Sequence, residues 1–174
     1  MKKNSVIEWL ANYLNKPKLT EENLKQTLHF SLLWHLFERI YFTEFEVELK
    51  PDILIERSNQ MCDFLADEDL NTIFDFLRKR YTAKNEIDNR KFDKLKFKSQ
   101  NNANDCKRIL TANDSSKQEK AQTVFLIIHR FRNNLFHGEK NTIKLDTCEE
   151  AFKVINTFLM CFIEIKNNQQ IKTQ

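Results

Sequence analysis

The stretch VFLIIHRFRNNLFHGEK, residues 124–140, places polar side chains at the end of an apolar segment. Arg132 and His137 stand five residues apart, and Gly138, the chain's only glycine, follows the histidine. A guanidinium offers a planar fork of donors to phosphate oxygens, and an imidazole transfers protons near neutral pH. The two residue types therefore suit phosphoryl chemistry, with Arg132 stabilising negative charge and His137 moving a proton.

Apolar periodicity predicts that residues 124–137 form a helix whose end can bring these two side chains together. A half-buried seam is predicted from four side chains at helical spacing: Phe125, His129, Arg132 and Phe136. His137 would lie ~140° from Arg132 around a regular helix. The pair can meet only if the backbone turns at Gly138, which stands where a glycine commonly ends a helix.

The two asparagines between this pair have a functional and an ordinary interpretation. Asn133 is predicted to orient a phosphate or the imidazole, and Asn134 is a weaker candidate for the same work. Otherwise both are surface amides. Arg132 and His137 likewise have an ordinary alternative, a helix end with a cation and a cap, which the helix dipole favours. His129 is expected to be a hydrogen-bonded interior histidine.

The sequence R-N-N-L-F-H at 132–137 resembles the R-x4-6-H motif of the HEPN superfamily (higher eukaryotes and prokaryotes nucleotide-binding). In that family the residue after the arginine is commonly Asn, as Asn133 is here, and the motif ends a late helix. The stretch LLWHLFERIYF at 32–42 also resembles the early helix of stand-alone bacterial HEPN proteins, where a Trp precedes a Phe-Glu pair. The matching residues here are Trp34, Phe37 and Glu38.

The resemblance implies a metal-independent endoribonuclease, often a toxin or an antiphage defence component, with a cleft formed across a homodimer. It implies no cofactor and no metal. The catalytic residues would be Arg132, Asn133 and His137. The supporting residues would be Glu38, Asn134 and Gly138. Some family members are silenced by modification of a Tyr that lies two residues after the His. In this chain that position is Glu139, so this form of control is not expected. Control by an antitoxin or another protein partner remains open.

RNA cleavage by its own 2′-OH requires a base, an acid and positive charge on the phosphorane, and no metal. One His and one Arg per chain do not fill both proton-transfer roles, so a two-fold dimer that joins two motifs is expected. Glu38 would pair with Arg132 or fix a histidine tautomer, unless it pairs with Arg39 or His35. The rival interpretation is a non-catalytic HEPN-like module that binds a nucleotide, RNA or a partner protein.

Residues 84–104 are polar and rich in Lys and Asn, and they are predicted to form a long, mobile loop or a frayed helix. Basic side chains alternate there with Phe92 and Phe97. Such a strip can follow an RNA backbone and stack on bases. The candidate RNA-binding residues are Lys91, Lys94, Lys96 and Lys98. A solvated loop anchored by the two phenylalanines explains the pattern equally well.

The composition predicts the elements that hold these residues. One Gly and two Pro in 174 residues, with 41% hydrophobic residues, predict one all-α domain over 1–174, a bundle of about five to seven helices. The helix through residues 28–42 is apolar nearly all round and is expected to be central. Thr20 and Thr147 are expected to cap helices. The helix through 124–137 is expected to be capped by Asn113, Asp114 or Ser115.

Charge and cysteine content place few limits on function. The net charge of +3 permits nucleic-acid binding without requiring it. The four cysteines form no C-x-x-C pair, and buried free thiols in a reducing cytoplasm are expected. They are Cys62, Cys106, Cys148 and Cys161. No signal peptide and no membrane span are predicted, so a membrane partner is not expected.

Overall fold

The computed structural model describes residues 5–42, 48–136 and 148–172, with side chains to residue 165 in the last range. His137, Gly138 and the expected cap Thr147 lie outside these ranges. The described residues form an all-α bundle with one two-stranded sheet, which confirms the predicted fold class. Across them, no helix is both long and apolar enough to cross a membrane.

Eight α-helices occur in the described residues, against a prediction of five to seven. In chain order they are α1 (Val6–Tyr13), α2 (Glu21–Tyr41), α3 (Pro51–Cys62), α4 (Asp67–Tyr81), α5 (Asn89–Phe92), α6 (Gln100–Thr111), α7 (Lys117–Phe136) and α8 (Glu149–Lys172). The strands β1 (Thr82–Ala83) and β2 (Glu86–Ile87) form an antiparallel hairpin between α4 and α5. The excess over the predicted number comes from short elements such as α5.

The central helix of the bundle is α7, not α2 as expected. Every residue from Thr123 to Phe131 is buried, and α7 packs against α3, α4 and α6. In contrast, α2 leaves three leucines largely exposed, at 57%, 67% and 41%. They are Leu28, Leu32 and Leu36, one turn apart. The apolar side chains around α2 therefore do not mean that it is buried on every side, because one row of leucines is exposed to solvent.

Aromatic side chains fasten α2 to α7 and α8. The Phe37 and Phe125 rings stack with centroids 5.7 Å apart, and Phe162 of α8 lies 5.2 Å from Phe125. All three are essentially inaccessible to solvent. Truncating such a buried ring to alanine costs ~3–5 kcal/mol. This packing holds α2 beside α7, and one residue after Phe37, Glu38 faces Arg132 of α7.

Side-chain caps define where the helices begin. Thr20 caps α2 as predicted, with its hydroxyl accepting from the Asn23 amide at 3.3 Å. The predicted caps of α7 are wrong, because Ser116 accepts from the Glu119 amide at 3.2 Å. The Glu119 carboxylate returns to the Ser116 amide at 3.0 Å. The S-x-x-E spacing of a capping box was therefore present in the sequence, one residue beyond the predicted caps.

The segment predicted as a long loop is built from short elements instead. Lys84 and Asn85 have φ of 53° and 62°, the left-handed pair that a tight hairpin turn between β1 and β2 requires. A 3-10 turn over Asp93–Leu95 follows α5. Buried Phe92 and Leu95 anchor this region to the core. Elements this short contain too few residues for hydrophobic periodicity to predict them. Contacts with the core, made by Phe92 and Leu95, hold them in place.

All four cysteines are free, as predicted. Two of them, Cys62 and Cys106, are buried, and burial raises the pKa of Cys106 to about 12. Cys148 and Cys161 are partly exposed, so the expectation that all four thiols are buried is wrong.

Candidate nucleic-acid site at the end of helix α7

Arg132 lies just before the last turn of α7 and pairs with Glu38 of α2. Its Nη2 is 3.4 Å from Glu38 Oε1, and the two side chains are 27% and 24% exposed. The guanidinium also lies 5.5 Å from the centre of the Phe136 ring. Arg132 is half-buried as predicted, but Phe136, assigned to the same seam, is 53% exposed. Of the partners left open for Glu38, Arg132 lies at ion-pair distance.

Asn133 links Arg132 to a buried histidine. Arg132 Nη1 donates to Asn133 Oδ1 at 3.0 Å, and Asn133 Nδ2 lies 3.1 Å from His129 Nε2. A guanidinium only donates, so the amide oxygen must face Arg132 and the amide nitrogen must face His129. An amide nitrogen also only donates. His129 Nε2 accepts from this amide in the tautomer that carries its proton on Nδ1.

His129 is an interior histidine, as expected, with 7% of its surface exposed. Its ring lies 6.3 Å from that of Trp34, at an interplanar angle of 24°. Five residues thus form one connected set, here called the Arg132 cluster: Glu38, Arg132, Asn133, His129 and Trp34. Sequence reasoning discounted the site role of His129, although its spacing of four from Asn133 is the spacing of contacting helix neighbours.

One donor of Arg132 is unused. Its Nε is buried and has no hydrogen-bond partner among the described residues. A buried donor without a partner costs ~1–3 kcal/mol. An anion that reaches this guanidinium would gain a donor that the fold leaves unsatisfied.

Asn134 belongs to a different set of contacts, on the opposite side of α7. Its Nδ2 donates to the carbonyl oxygens of Lys94 and Leu95, at 3.0 and 3.3 Å. Its Oδ1 accepts from Arg130 Nη2 at 3.4 Å, and Arg130 Nε donates to Leu95 O at 2.9 Å. We call Arg130, Asn134 and these two carbonyls the Arg130 cluster. Asn134 lies about 200° from Arg132 around the helix and makes its hydrogen bonds on the other side. It is therefore not part of the Arg132 cluster, where it was predicted to support Arg132.

Arg130 is a functional candidate that sequence reasoning missed. It is 8% exposed, and burial lowers its pKa from the ordinary arginine value. A buried guanidinium needs its donors satisfied, and here a backbone carbonyl 35 residues away accepts from it. No local pattern could have indicated this bond, since its partner comes from the segment predicted as a loop.

The four candidate RNA-binding lysines are all exposed. Lys91 lies 3.5 Å from Asp88, which also accepts from the Lys91 amide at 3.3 Å and so caps α5. The other three are Lys94, Lys96 and Lys98. Because the Lys94 carbonyl accepts from Asn134, the lysine-bearing segment is attached to the end of α7. The structure thus places these lysines beside the helix that carries Arg132.

The predicted site residues thus fall into three groups. The Arg132 cluster contains Arg132, Asn133 and Glu38, while Asn134 and the lysines lie on the other side of α7. His137 and Gly138 follow α7 directly in the sequence, outside the described residues. Within the described ranges, no three His, Cys, Asp or Glu side chains are grouped so that they could hold a metal ion.

Comparison with known proteins adds no relative. No protein-family model, no curated protein and no solved structure matches the chain.

Proposed function

We propose that the protein is a metal-independent endoribonuclease of HEPN type in which Arg132, Asn133 and His137 carry the chemistry. The observation that best supports this function is the arrangement of Arg132. Glu38 and Asn133 hold its guanidinium at the end of α7, and its Nε has no partner among the described residues. His137 follows this helix end by one residue.

In the proposed reaction, the 2′-OH of the substrate ribose gives its proton to a histidine and attacks the adjacent phosphorus. Arg132 donates to the non-bridging oxygens as charge builds on the phosphorane. The bond to the 5′ oxygen then breaks, and that oxygen takes a proton from a second histidine. The products are a 2′,3′-cyclic phosphate and a 5′-OH. The roles of base and acid belong to His137 of two chains.

The two-chain requirement makes a homodimer part of the proposal. The row of exposed Leu28, Leu32 and Leu36 lies on α2, the helix that also carries Glu38. A second copy of the chain packs on this leucine row in the proposed dimer. The reaction needs a second histidine, and leaving a row of leucines exposed to solvent is unfavourable.

Leu32→Asp should convert the dimer to a monomer, as measured by light scattering. A wild-type protein that is monomeric at the concentration of the cleavage assay would contradict the two-chain reaction.

The biological setting follows from the activity proposed. An RNA-cleaving enzyme of this kind would act in the cytoplasm as a toxin or an antiphage defence component, with an antitoxin or another protein restraining it. Expression of the wild-type chain should then slow cell growth, and both Arg132→Ala and His137→Ala should relieve the effect. Equal toxicity of wild type and the two variants would contradict this role.

The direct test is RNA cleavage in the presence of EDTA. Wild type should cleave and leave 2′,3′-cyclic phosphate ends, whereas His137→Ala should lose activity with an unchanged helical circular dichroism spectrum and melting temperature. Loss of activity on chelation would contradict the mechanism, and unfolding of the variant would make His137 structural. RNA binding without any cleavage by wild type would support the non-catalytic module instead.

A further inference from the structure

A basic strip runs along residues 90–98, beside the end of α7. Its lysines are exposed. Asp88, only 15% exposed, pairs with Arg90 and Lys91 at the start of the strip, at 4.0 and 3.5 Å. Asp93 lies within the strip and is 3.5 Å from Lys107 of α6, which leaves Lys94, Lys96 and Lys98 as the larger charge on this face. The outward face of the strip therefore presents mainly positive charge.

The Arg130 cluster attaches this strip to α7. Three hydrogen bonds from Arg130 and Asn134 end on the Lys94 and Leu95 carbonyls, at 2.9 to 3.3 Å. These acceptors carry no net charge, so they satisfy the buried guanidinium without neutralising it. The next residue, Lys96, has a φ of 52° and ends the 3-10 turn directly after the attachment.

An aromatic ring lies within the strip. Phe97 is partly exposed and stacks on buried Phe92, with ring centroids 5.5 Å apart and planes within 4°. Proteins that bind single strands combine a positive groove with aromatic rings on which bases stack, whereas a duplex keeps its bases stacked inside. The combination of lysines and Phe97 favours a single strand over a duplex.

We infer that the basic strip binds the backbone of single-stranded RNA, and that Arg130 and Asn134 are positioning residues that fix the strip relative to Arg132. This inference rests on the proposed function, because it makes the strip an extension of the cleavage site. A dinucleotide would contact the Arg132 cluster alone. A longer strand would contact the strip as well, so the strip should affect only longer substrates.

The test compares Asn134→Ala with Asn59→Ala, whose amide also makes a hydrogen bond between two elements, to Gln122 of α7 at 2.7 Å, but which lies on α3. For a ten-nucleotide RNA, Asn134→Ala should raise KM about fivefold with little change in kcat, as expected for loss of a charge-positioning contact. Cleavage of a dinucleotide should be unchanged, and the control should match wild type. An equal loss on both substrates, or no loss on either, would overturn the inference.

Binding measured without cleavage separates this inference from the proposed function. A fully 2′-O-methylated RNA cannot react, so its dissociation constant reports binding without cleavage. Lys94→Gln with Lys98→Gln should lower the slope of log Kd against log salt by about 1.4, at about 0.7 for each lost phosphate contact on a single strand. An unchanged slope, or equally tight binding of duplex DNA or polyglutamate, would overturn it. If the slope falls while wild type cleaves no RNA, the strip stands and the proposed catalysis fails.

Discussion

Arg130 and Arg132 are two residues apart on one helix, yet they lie in opposite surroundings. Arg130 is buried, and its hydrogen bonds go to a backbone carbonyl and to Asn134. Arg132 is partly exposed, and its bonds go to the side chains of Glu38 and Asn133. Residues two apart in a helix lie about 200° from each other around its axis, so the two arginines face opposite sides of α7.

The difference shows what each guanidinium can do. A backbone carbonyl inside a packed turn cannot move without moving the chain, so the bonds of Arg130 hold two segments of the fold together. Side-chain partners can rotate when a phosphate approaches, so Arg132 can exchange part of its bonding for a ligand. The same residue type therefore joins the segments of the fold on one face and offers a binding group on the other.

Removing the exposed guanidinium should produce the largest effect. Arg132→Met keeps the aliphatic stem but removes every donor, and RNA cleavage should fall ~10²–10³-fold, as for the loss of one charge-stabilising group. The measurement is initial rate on a dinucleotide, with melting recorded in parallel. Arg108→Met is the control and should retain activity, because it breaks another arginine–glutamate pair, with Glu119 at 3.1 Å, on the surface of α6. A variant that melts far below wild type while keeping its activity would reverse the assignment.

Arg130→Met should have the opposite profile. It removes two hydrogen bonds of a buried guanidinium, one to the Leu95 carbonyl and one to Asn134 Oδ1, so the free energy of unfolding should fall by about 2–3 kcal/mol. For a chain of this size, that corresponds to a melting temperature lower by roughly 4–12 °C. Dinucleotide cleavage by the folded fraction should be unchanged. If Arg130→Met remains as stable as wild type but loses cleavage, the two arginines have been assigned the wrong roles.

Glu38→Gln tests how the Arg132 guanidinium is held. The amide keeps the size of the side chain and one acceptor but loses the charge, which should cost about 1–2 kcal/mol in the transition state, roughly five- to thirtyfold in rate. Rate measurements on a dinucleotide are compared with Glu56→Gln, a change on the surface of α3. A faster variant would mean that Glu38 restrains Arg132 rather than orienting it.

Asn133 separates two contacts within the Arg132 cluster, and its effects should be the smallest. Asn133→Ala loses both bonds, and the rate should fall about tenfold. Asn133→Asp keeps the acceptor for Arg132 but faces His129 with an acceptor in place of a donor. If orientation of Arg132 is the important contact, the aspartate variant should lie closer to wild type than the alanine variant. Equal loss in both would place the importance on the bond to His129 instead.

The sequence was sufficient for features that depend on near neighbours. The fold class followed from composition, and the seam containing Arg132 followed from helical spacing. Glu38 is predictable as a partner of Arg132 because it is one of the few charged residues in the apolar stretch at 28–42. The catalytic roles of these residues and of His137 remain predictions, since no structural observation tests them.

Features that depend on distant segments could not be predicted. The Arg130 cluster joins residues 35 apart through a turn that has no periodicity of its own. Which apolar helix is central depends on what packs around it, so hydropathy alone could not decide between α2 and α7. The structure decides it, because the leucine row of α2 is exposed whereas residues 123–131 of α7 are buried.

The position of Trp34 gives the molecule an internal optical probe. The chain has two tryptophans, and they differ sharply in environment: Trp9 is 55% exposed, whereas Trp34 is 1% exposed and lies against the His129 ring. In a Trp9→Phe background all indole emission comes from inside the Arg132 cluster. Because the His129 ring lies against this indole, any displacement of His129 would change that emission, without any label.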